Sequence, residues 1–529
     1  MEKVQLFDTT LRDGAQSAGI AFSVNDKVRI ALHLDQLGMD YIEGGWPSPA
    51  NPRDTSFFEQ MRTTSLKHAK LVAFGSTCRA GLRASEDSQL RQLLIAGTPV
   101  ICIFGKSWDL HVTHALRISL EENLQIIEDS VAFLRSQGVE VIYDAEHFFD
   151  GFHANPDYAL ATVQAAARGG AQWIVPCDTN GGCLPEQIQA GIRALRGITD
   201  IPLGIHAHND SELAVANSLA AIDEGVRMVH GTVNGYGERC GNANLCSIIP
   251  SLELKKGYRA LPEGRLSDLY STAHFVAEVA NLHPPENSAY VGDAAFAHKA
   301  GVHIDSVLKE KRSYEHVPPE TVGNATRLLI SDQAGGSAVV ERAQRLLGID
   351  LDKKSPQTKA ILARLKEAEN EGYEFEAAEA SFEMLLRRCL NQFTPEFEVT
   401  DFRVIVGGRI MGTSALSEAI VRVKIGEIEV HTVADGDGPV HALDGALRKA
   451  LEPYFPPLLS VRLSDFKVRV VNVRAGTAAR VRVLVETTDV NGTTWSTIGV
   501  HENIIIASLE ALSDSLHYAI RRMCCSMAV

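Results

Sequence analysis

Eight short β-rich runs, most of them separated by helical patterns, fill the first 250 or so residues and leave few folds open. They are VQLFDTT (4–10), YIEGGWP (41–47), KLVAFGST (70–77), VICIFGKS (100–107), VEVIYDAE (139–146), WIVPCDT (173–179), IPLGIHAH (201–208) and RMVHGTVN (227–234). Ser23 stands as an N-cap for a helix over 24–37, which Gly38 ends. Residues 119–137 carry Leu120, Leu124, Ile127, Val131 and Leu134 at a helical period, with Gly138 closing them. Similar patterns occupy 157–168, 185–196 and 211–224. This alternation predicts an α/β chain that opens with a (β/α)8 TIM barrel. A doubly wound sheet is the alternative. It would want a glycine-rich phosphate loop after the first strand, and neither LRDGAQ nor Gly235-Tyr-Gly237 is one.

A barrel gathers its chemistry at the C-terminal ends of its strands, and the polar residues follow that rule. Arg12 and Asp13 follow run one, Glu43 lies in run two, and Lys106 ends run four. Glu146 ends run five, Asp178 and Thr179 end run six, and Asn234 ends run eight, with Asn242 just beyond. In run seven, His206 and His208 are two apart, so on a strand they project to one side. Two imidazoles side by side are half of a metal site. Asp13, with Asn242 as a weaker fourth ligand, supplies the other half. Mixed nitrogen and oxygen donors suit Mn²⁺, Co²⁺ or Zn²⁺, and Mg²⁺ where water and substrate oxygens complete the shell.

After about residue 260 the alternation stops. The expected domains are the barrel over 1–282, a helical linker region over 283–394 and a C-terminal α+β domain over 395–529, with Thr394-Pro395 marking the last boundary. The linker includes GVHIDSVLK (301–309) and an amphipathic stretch at 357–370. Within the tail, 419–451 and 479–520 each read as a strand pair followed by a helix, a duplicated ββα unit suited to sensing a ligand or to dimerising. A net charge of −15, without basic clusters, offers no footprint for nucleic acid or an anionic membrane. No apolar run approaches the roughly 18 residues a bilayer span needs. Nine cysteines without CxxC pairs read as reduced thiols, so the expected compartment is the cytoplasm. No signal peptide is expected before VQLF.

The residues alone already suggest a chemistry. A divalent ion on this ligand set can chelate a 2-oxo acid and polarise its keto group. Arg12 would stabilise the negative charge that develops there, though a plain ion-pair role is the competing reading. Thr179 could hold the substrate carboxylate, and Glu146 could take or relay a proton or position water.

DTTLRDGAQ (8–16) and HAHNDSELAVANSLAAIDEGVRMVHGTVNGYGERCGNANL (206–245) resemble the two signatures of the 2-isopropylmalate, homocitrate and citramalate synthases. The likeness continues through HKAGVHIDSV (298–307) and DGDGPVHALDGAL (435–447), and so covers nearly the whole chain. YIEGGWPSPANPRD (41–54) and DAEHFFDGF (144–152) are most similar to the citramalate branch. The resemblance implies a metal-dependent Claisen-type acyltransferase that uses acetyl-CoA as co-substrate and pyruvate as acceptor, on the route to isoleucine. Asp13, His206, His208 and Asn242 match metal positions. Arg12 and Thr179 match contacts to the 2-oxo acid, and Glu146 a catalytic carboxylate. His303 and Asp305 match a group that reaches a partner subunit's barrel in a homodimer and assists deprotonation or thioester hydrolysis. The tail matches a regulatory domain, with isoleucine as the expected effector. SAGIAFS after LRDGAQ and SDQAGGSA (331–338) depart from the family pattern. Another acid (2-isopropylmalate or homocitrate synthase), an acyl-CoA lyase on the same barrel, and a catalytically silent sensor are the competing readings.

Overall fold

The computed structural model describes residues 1–282, 285–329, 336–375, 378–407, 416–471, 479–490 and 492–526. Most of SDQAGGSA lies outside them. By contact the chain divides into two compact units: Met1–Phe296 with Glu315–Thr326, and Ala297–Tyr314 with Arg327–Val529.

The first unit is a closed parallel barrel of β1 (Gln5–Asp8), β2 (Tyr41–Gly45), β3 (Lys70–Ser76), β4 (Val100–Lys106), β5 (Glu140–Glu146), β6 (Trp173–Asp178), β7 (Gly204–Ala207) and β8 (Met228–Gly231). β8 closes on β1 with Phe7 opposite His230 and Asp8 opposite Gly231. The doubly wound alternative is thereby excluded. Alternate residues of each strand face opposite ways. Phe7, Val72, Phe74, Val100, Cys102, Ile142, Val175 and Met228 form one buried cluster inside the barrel. Their neighbours Leu6, Ala73, Ile101, Val141, Ile174 and Val229 belong to the cluster that includes the surrounding helices.

Helix boundaries follow local chemistry. Ser23 and Asp26 form a capping box on helix Val24–Leu37, and Gly38 ends it at φ +103°. In helix Leu120–Ser136, Ile127, Val131 and Leu134 are fully buried, whereas Leu120 and Leu124 are only half-buried. β8 ends earlier than the sequence suggested. Asn234 lies in a turn beyond it at φ +63°, and its amide donates to the Ala273 carbonyl at 2.8 Å, a structural role.

In the second unit, helices Gly301–Lys309 and Pro356–Glu371 fall where the patterns place them. The strand pair and helix expected within 419–451 and 479–520 are both present, and each is preceded by one further strand. Each full repeat has three strands before its helix: Glu398–Gly407, Leu416–Ile425 and Ile428–Gly436 before Pro439–Leu451, then Arg462–Val470, Val481–Thr488 and Thr494–His501 before Ile504–Ser526. The unrecognised strand is an edge strand in both sheets. None of its residues is fully buried, and a β-bulge interrupts the alternation of Val399 with Phe402 and Val404, and of Leu463 with Phe466, that packs on the core. The duplication itself extends to detail, with a β-bulge between Val399 and Asp401 and another between Leu463 and Asp465. Among the described residues no helix is long and apolar enough to cross a membrane.

One buried carboxyl makes the barrel's stability depend on pH. Burial pushes Asp8 up to about 7, against hydrogen bonds from the Thr10 amide and hydroxyl that pull it down. The folded chain therefore keeps a proton that the unfolded chain releases near pH 3.9. That contribution to stability is complete below about pH 4 and is lost as the pH rises through about 7. Asp8→Asn removes the titration. Between about pH 5 and about pH 7.5 its melting temperature should gain on that of the unaltered chain. A difference that stays constant across that range would show that Asp8 holds no such proton.

Candidate active site and metal centre

The turn after β1 aims Arg12 and Asp13 into the barrel mouth. Asp8 accepts the Thr10 amide at 2.9 Å, and the Arg12 and Gly14 amides both bond back to the Thr9 carbonyl at 3.1 and 3.0 Å. The Thr10 hydroxyl in turn accepts the Val233 amide at 2.9 Å, which fixes the segment after β8 against it. On the same rim, His208 and Asn242 pair as an isolated antiparallel bridge.

These segments bring four side chains to one point. Asp13 Oδ2 lies 3.3 Å from His206 Nε2, 3.9 Å from His208 Nε2 and 2.8 Å from Asn242 Nδ2. The two Nε2 atoms are 3.3 Å apart. All four residues are buried. Burial, with the neighbouring His206 charge, pushes His208 down to about 3, so its ring is neutral and offers a lone pair. Burial works to raise Asp13, but Arg12 and the two histidines outweigh it and hold the carboxyl well below its usual range. Two imidazole nitrogens and an ionised carboxylate oxygen converging in a buried site are the donor set a divalent ion takes. Asn242 turns its amide nitrogen toward this point, while its Oδ1 is buried without a hydrogen-bond partner. Half a turn of the amide exchanges the two and presents an oxygen as the fourth ligand. Gly237 makes room for that group, since a Cβ there would collide with Asn242 Oδ1.

Arg12 is fixed from three sides. Its Nε is 2.6 Å from Glu43 Oε2, its Nη1 is 3.2 Å from Asp13 Oδ2, and its guanidinium lies 3.8 Å over the Phe74 ring. Burial pushes Glu43 up to about 7 although Arg12 pulls it down. Phe74 stacks on Phe104 at 5.5 Å, and Trp46 meets both rings edge-on. Trp46 is placed by the loop after β2, where Asp54 accepts its amide at 2.8 Å and pairs with buried Lys27. Gly45 is required there. It sits at φ +144°, and a Cβ would strike the Asp54 carboxylate. A cavity of about 580 Å³ opens beside Arg12, bordered by Gln16, Phe22, Trp46, Asn51 and Arg53.

The remaining candidates are placed as follows. Glu146 ends β5 and pairs with Lys106 at the end of β4. The Thr179 hydroxyl accepts the His147 amide at 2.8 Å, which holds Thr179 beside the residue following Glu146. His303 and Asp305 belong to the second unit, on helix Gly301–Lys309. His303 is exposed and stacks on Tyr314, and Asp305 accepts from Lys309 and Lys353 at 2.7 Å each.

Sequence reasoning missed two residues of the interior. Asp144 and His230 are buried and, with His206, form a second cluster whose ligand-capable atoms lie within 4.8 Å of one another. One signal was available, since Asp144 is two residues before Glu146 on one strand face; that His230 stands opposite His206 across β7 and β8 is set by the folded register.

The HMGL-like family profile matches residues 3–276, a homocitrate synthase post-HMGL domain-like profile 290–373, and a LeuA allosteric (dimerisation) domain 376–520. The (R)-citramalate synthase of Aquifex aeolicus is 52% identical over 98% of this chain and 98% of that protein. The (R)-citramalate synthase of Geobacter sulfurreducens is 51% identical over 99% of this chain and 98% of that protein. The 2-isopropylmalate synthase of Methanocaldococcus jannaschii is 30% identical over 98% of this chain and 94% of that protein. The chain belongs to the citramalate synthase family, with an HMGL-like barrel and a LeuA-type C-terminal domain.

Proposed function

We propose that the chain condenses acetyl-CoA with pyruvate and water to give (R)-citramalate and free CoA, as a feedback-regulated step toward isoleucine. The choice of acid is carried by one observation. Identity to five (R)-citramalate synthases is 46–52%, against 30% to 2-isopropylmalate synthases, at similar coverage.

In this reading Asp13, His206 and His208, with Asn242 after its amide turns, hold a divalent ion (Mn²⁺, Mg²⁺, Co²⁺ or Zn²⁺). The ion, when bound, polarises the keto group of the 2-oxo acid. The new bond joins the acetyl methyl carbon, after loss of a proton, to C2 of pyruvate. The C2 oxygen becomes a hydroxyl, and water then cleaves the thioester to release the CoA thiol. Arg12, locked against Glu43 and Phe74, keeps a fixed positive charge next to Asp13, where the C2 oxygen becomes negative. Thr179 accepts through its oxygen and so keeps its hydrogen for the substrate carboxylate. Glu146, paired with Lys106, relays a proton or orients water at the end of β5. His303 and Asp305 reach the barrel of a partner subunit and assist deprotonation or thioester hydrolysis there. The cavity beside Arg12 offers space for the acyl-CoA arm. Thiol release from acetyl-CoA should be fastest with pyruvate and at least about tenfold slower per acid with 2-oxobutanoate, 2-oxoisovalerate and 2-oxoglutarate, since a methylene is worth about 1–3 kcal/mol. Release independent of added acid would refute a synthase.

The tail supports regulation and a homodimer. Its repeats border two grooves. One, of about 620 Å³, is lined by Asp444, Arg448 and Glu452 with Arg462. The other, of about 730 Å³, is lined by Leu509, Ser513 and His517 with Glu398. Both offer charged groups beside apolar walls, the build an amino acid requires. Isoleucine should lower the initial rate in a saturable way, measured at sub-saturating acetyl-CoA. An unchanged rate across the titration would remove isoleucine as effector.

A further inference from the structure

We infer that Asp144 is a positioning residue for the metal centre, accepting the Nδ1 hydrogen of His206 with His230 braced behind it. Nε2 of His206 is committed to the cluster with Asp13, His208 and Asn242. A histidine that gives one nitrogen's lone pair to an ion carries its hydrogen on the other nitrogen. For His206 that is Nδ1, which is buried and has no hydrogen-bond partner. Ligating histidines generally donate that hydrogen to a carboxylate, a carbonyl or water, which fixes ring and tautomer. Asp144 is the carboxylate within reach, one of its oxygens lying within 4.8 Å of a ring nitrogen of His206. It is 3% exposed, its Oδ1 also lacks a hydrogen-bond partner, and it lies in the second cluster with His206 and His230. His230 is held rigidly, stacked on Phe7 at 3.8 Å with the rings 10° apart, and its Nδ1 is 4.0 Å from Asp144 Oδ1. Neither of its ring nitrogens has a hydrogen-bond partner. Asp144 thus stands between two imidazoles, one that needs an acceptor and one that cannot move away.

This inference rests on the metal reading, and the experiment separates the two. Co²⁺ is titrated into the full-length protein and into Asp144→Ala and Asp144→Asn, with affinity taken from chelator competition and ligand geometry from the visible absorption of the bound ion. The unaltered protein should bind one Co²⁺ per chain at the site. Asp144→Ala should bind it about 10–100-fold more weakly with an altered spectrum. Asp144→Asn, which keeps an acceptor oxygen, should recover most of the affinity. If Asp144→Ala does not fold by circular dichroism, His230→Gln takes its place and should weaken binding about tenfold. Equal affinity and identical spectra across the variants would overturn the inference while leaving the metal site intact. Two ions per chain, one lost in Asp144→Ala, would overturn it in favour of a second ion among Asp144, His206 and His230. No binding by the unaltered protein would remove the metal reading and this inference together.

Discussion

His208→Ala should lower kcat/KM by at least about a thousandfold, about 4 kcal/mol of transition-state stabilisation. The protein should remain folded. His208 lies after β7 ends, its Nδ1 makes no hydrogen bond, and its Nε2 faces only the donor cluster. Removing it deletes one of the two imidazole ligands and leaves Asp13 and His206 with only the weaker Asn242 amide beside them, a poor set for holding a divalent ion against water. Circular dichroism should match that of the unaltered chain, while divalent-ion affinity falls in parallel with turnover. Turnover at the unaltered level, with the ion still bound, would take His208 out of the site.

Arg12→Lys should cost about 100–1,000-fold in kcat, the usual effect of removing one oriented donor from a developing oxyanion. The charge is kept, so a loss of this size would report geometry rather than electrostatics alone. The guanidinium bonds Glu43 and Asp13 through different nitrogens and lies flat over Phe74. An ammonium cannot reproduce that fork or that stacking. Arg12→Ala is the less informative variant, because it strands the buried Glu43 carboxylate. Losing a partner in that way costs about 3–5 kcal/mol of stability. Kinetics of Arg12→Lys with pyruvate varied at saturating acetyl-CoA separate the readings. A fall in kcat with KM nearly unchanged supports transition-state stabilisation. An unchanged kcat would leave Arg12 as an ion-pair partner only.

Much of the barrel and of the ligand set was legible in the chain itself. The period-two runs and the caps at Ser23 and Gly38 are local signals, set by the side chains within a few residues of each position. The histidine pair was equally local, because residues two apart on a strand share a face. Asp144 and His230 escaped notice for the opposite reason. Asp144 reads as a neighbour of Glu146 and His230 as a lone polar residue in an apolar run, and only closure of the barrel brings both to His206. The outermost strands of the tail, Glu398–Gly407 and Arg462–Val470, escaped because their apolar residues are only partly buried and a β-bulge breaks their alternation.

By itself the sequence determined the order of strands and helices, the duplicated tail and the residue types available at each strand end, since all of these depend on near neighbours. Tertiary structure alone decided which of those residues meet. Asp13 and Asn242 are 229 residues apart and touch at 2.8 Å. Glu43 becomes the partner of Arg12 across 31 residues because β1 and β2 lie side by side. The protonation states followed from the same closure. Burial raises Glu43 and lowers His208 only once the barrel has excluded water from both.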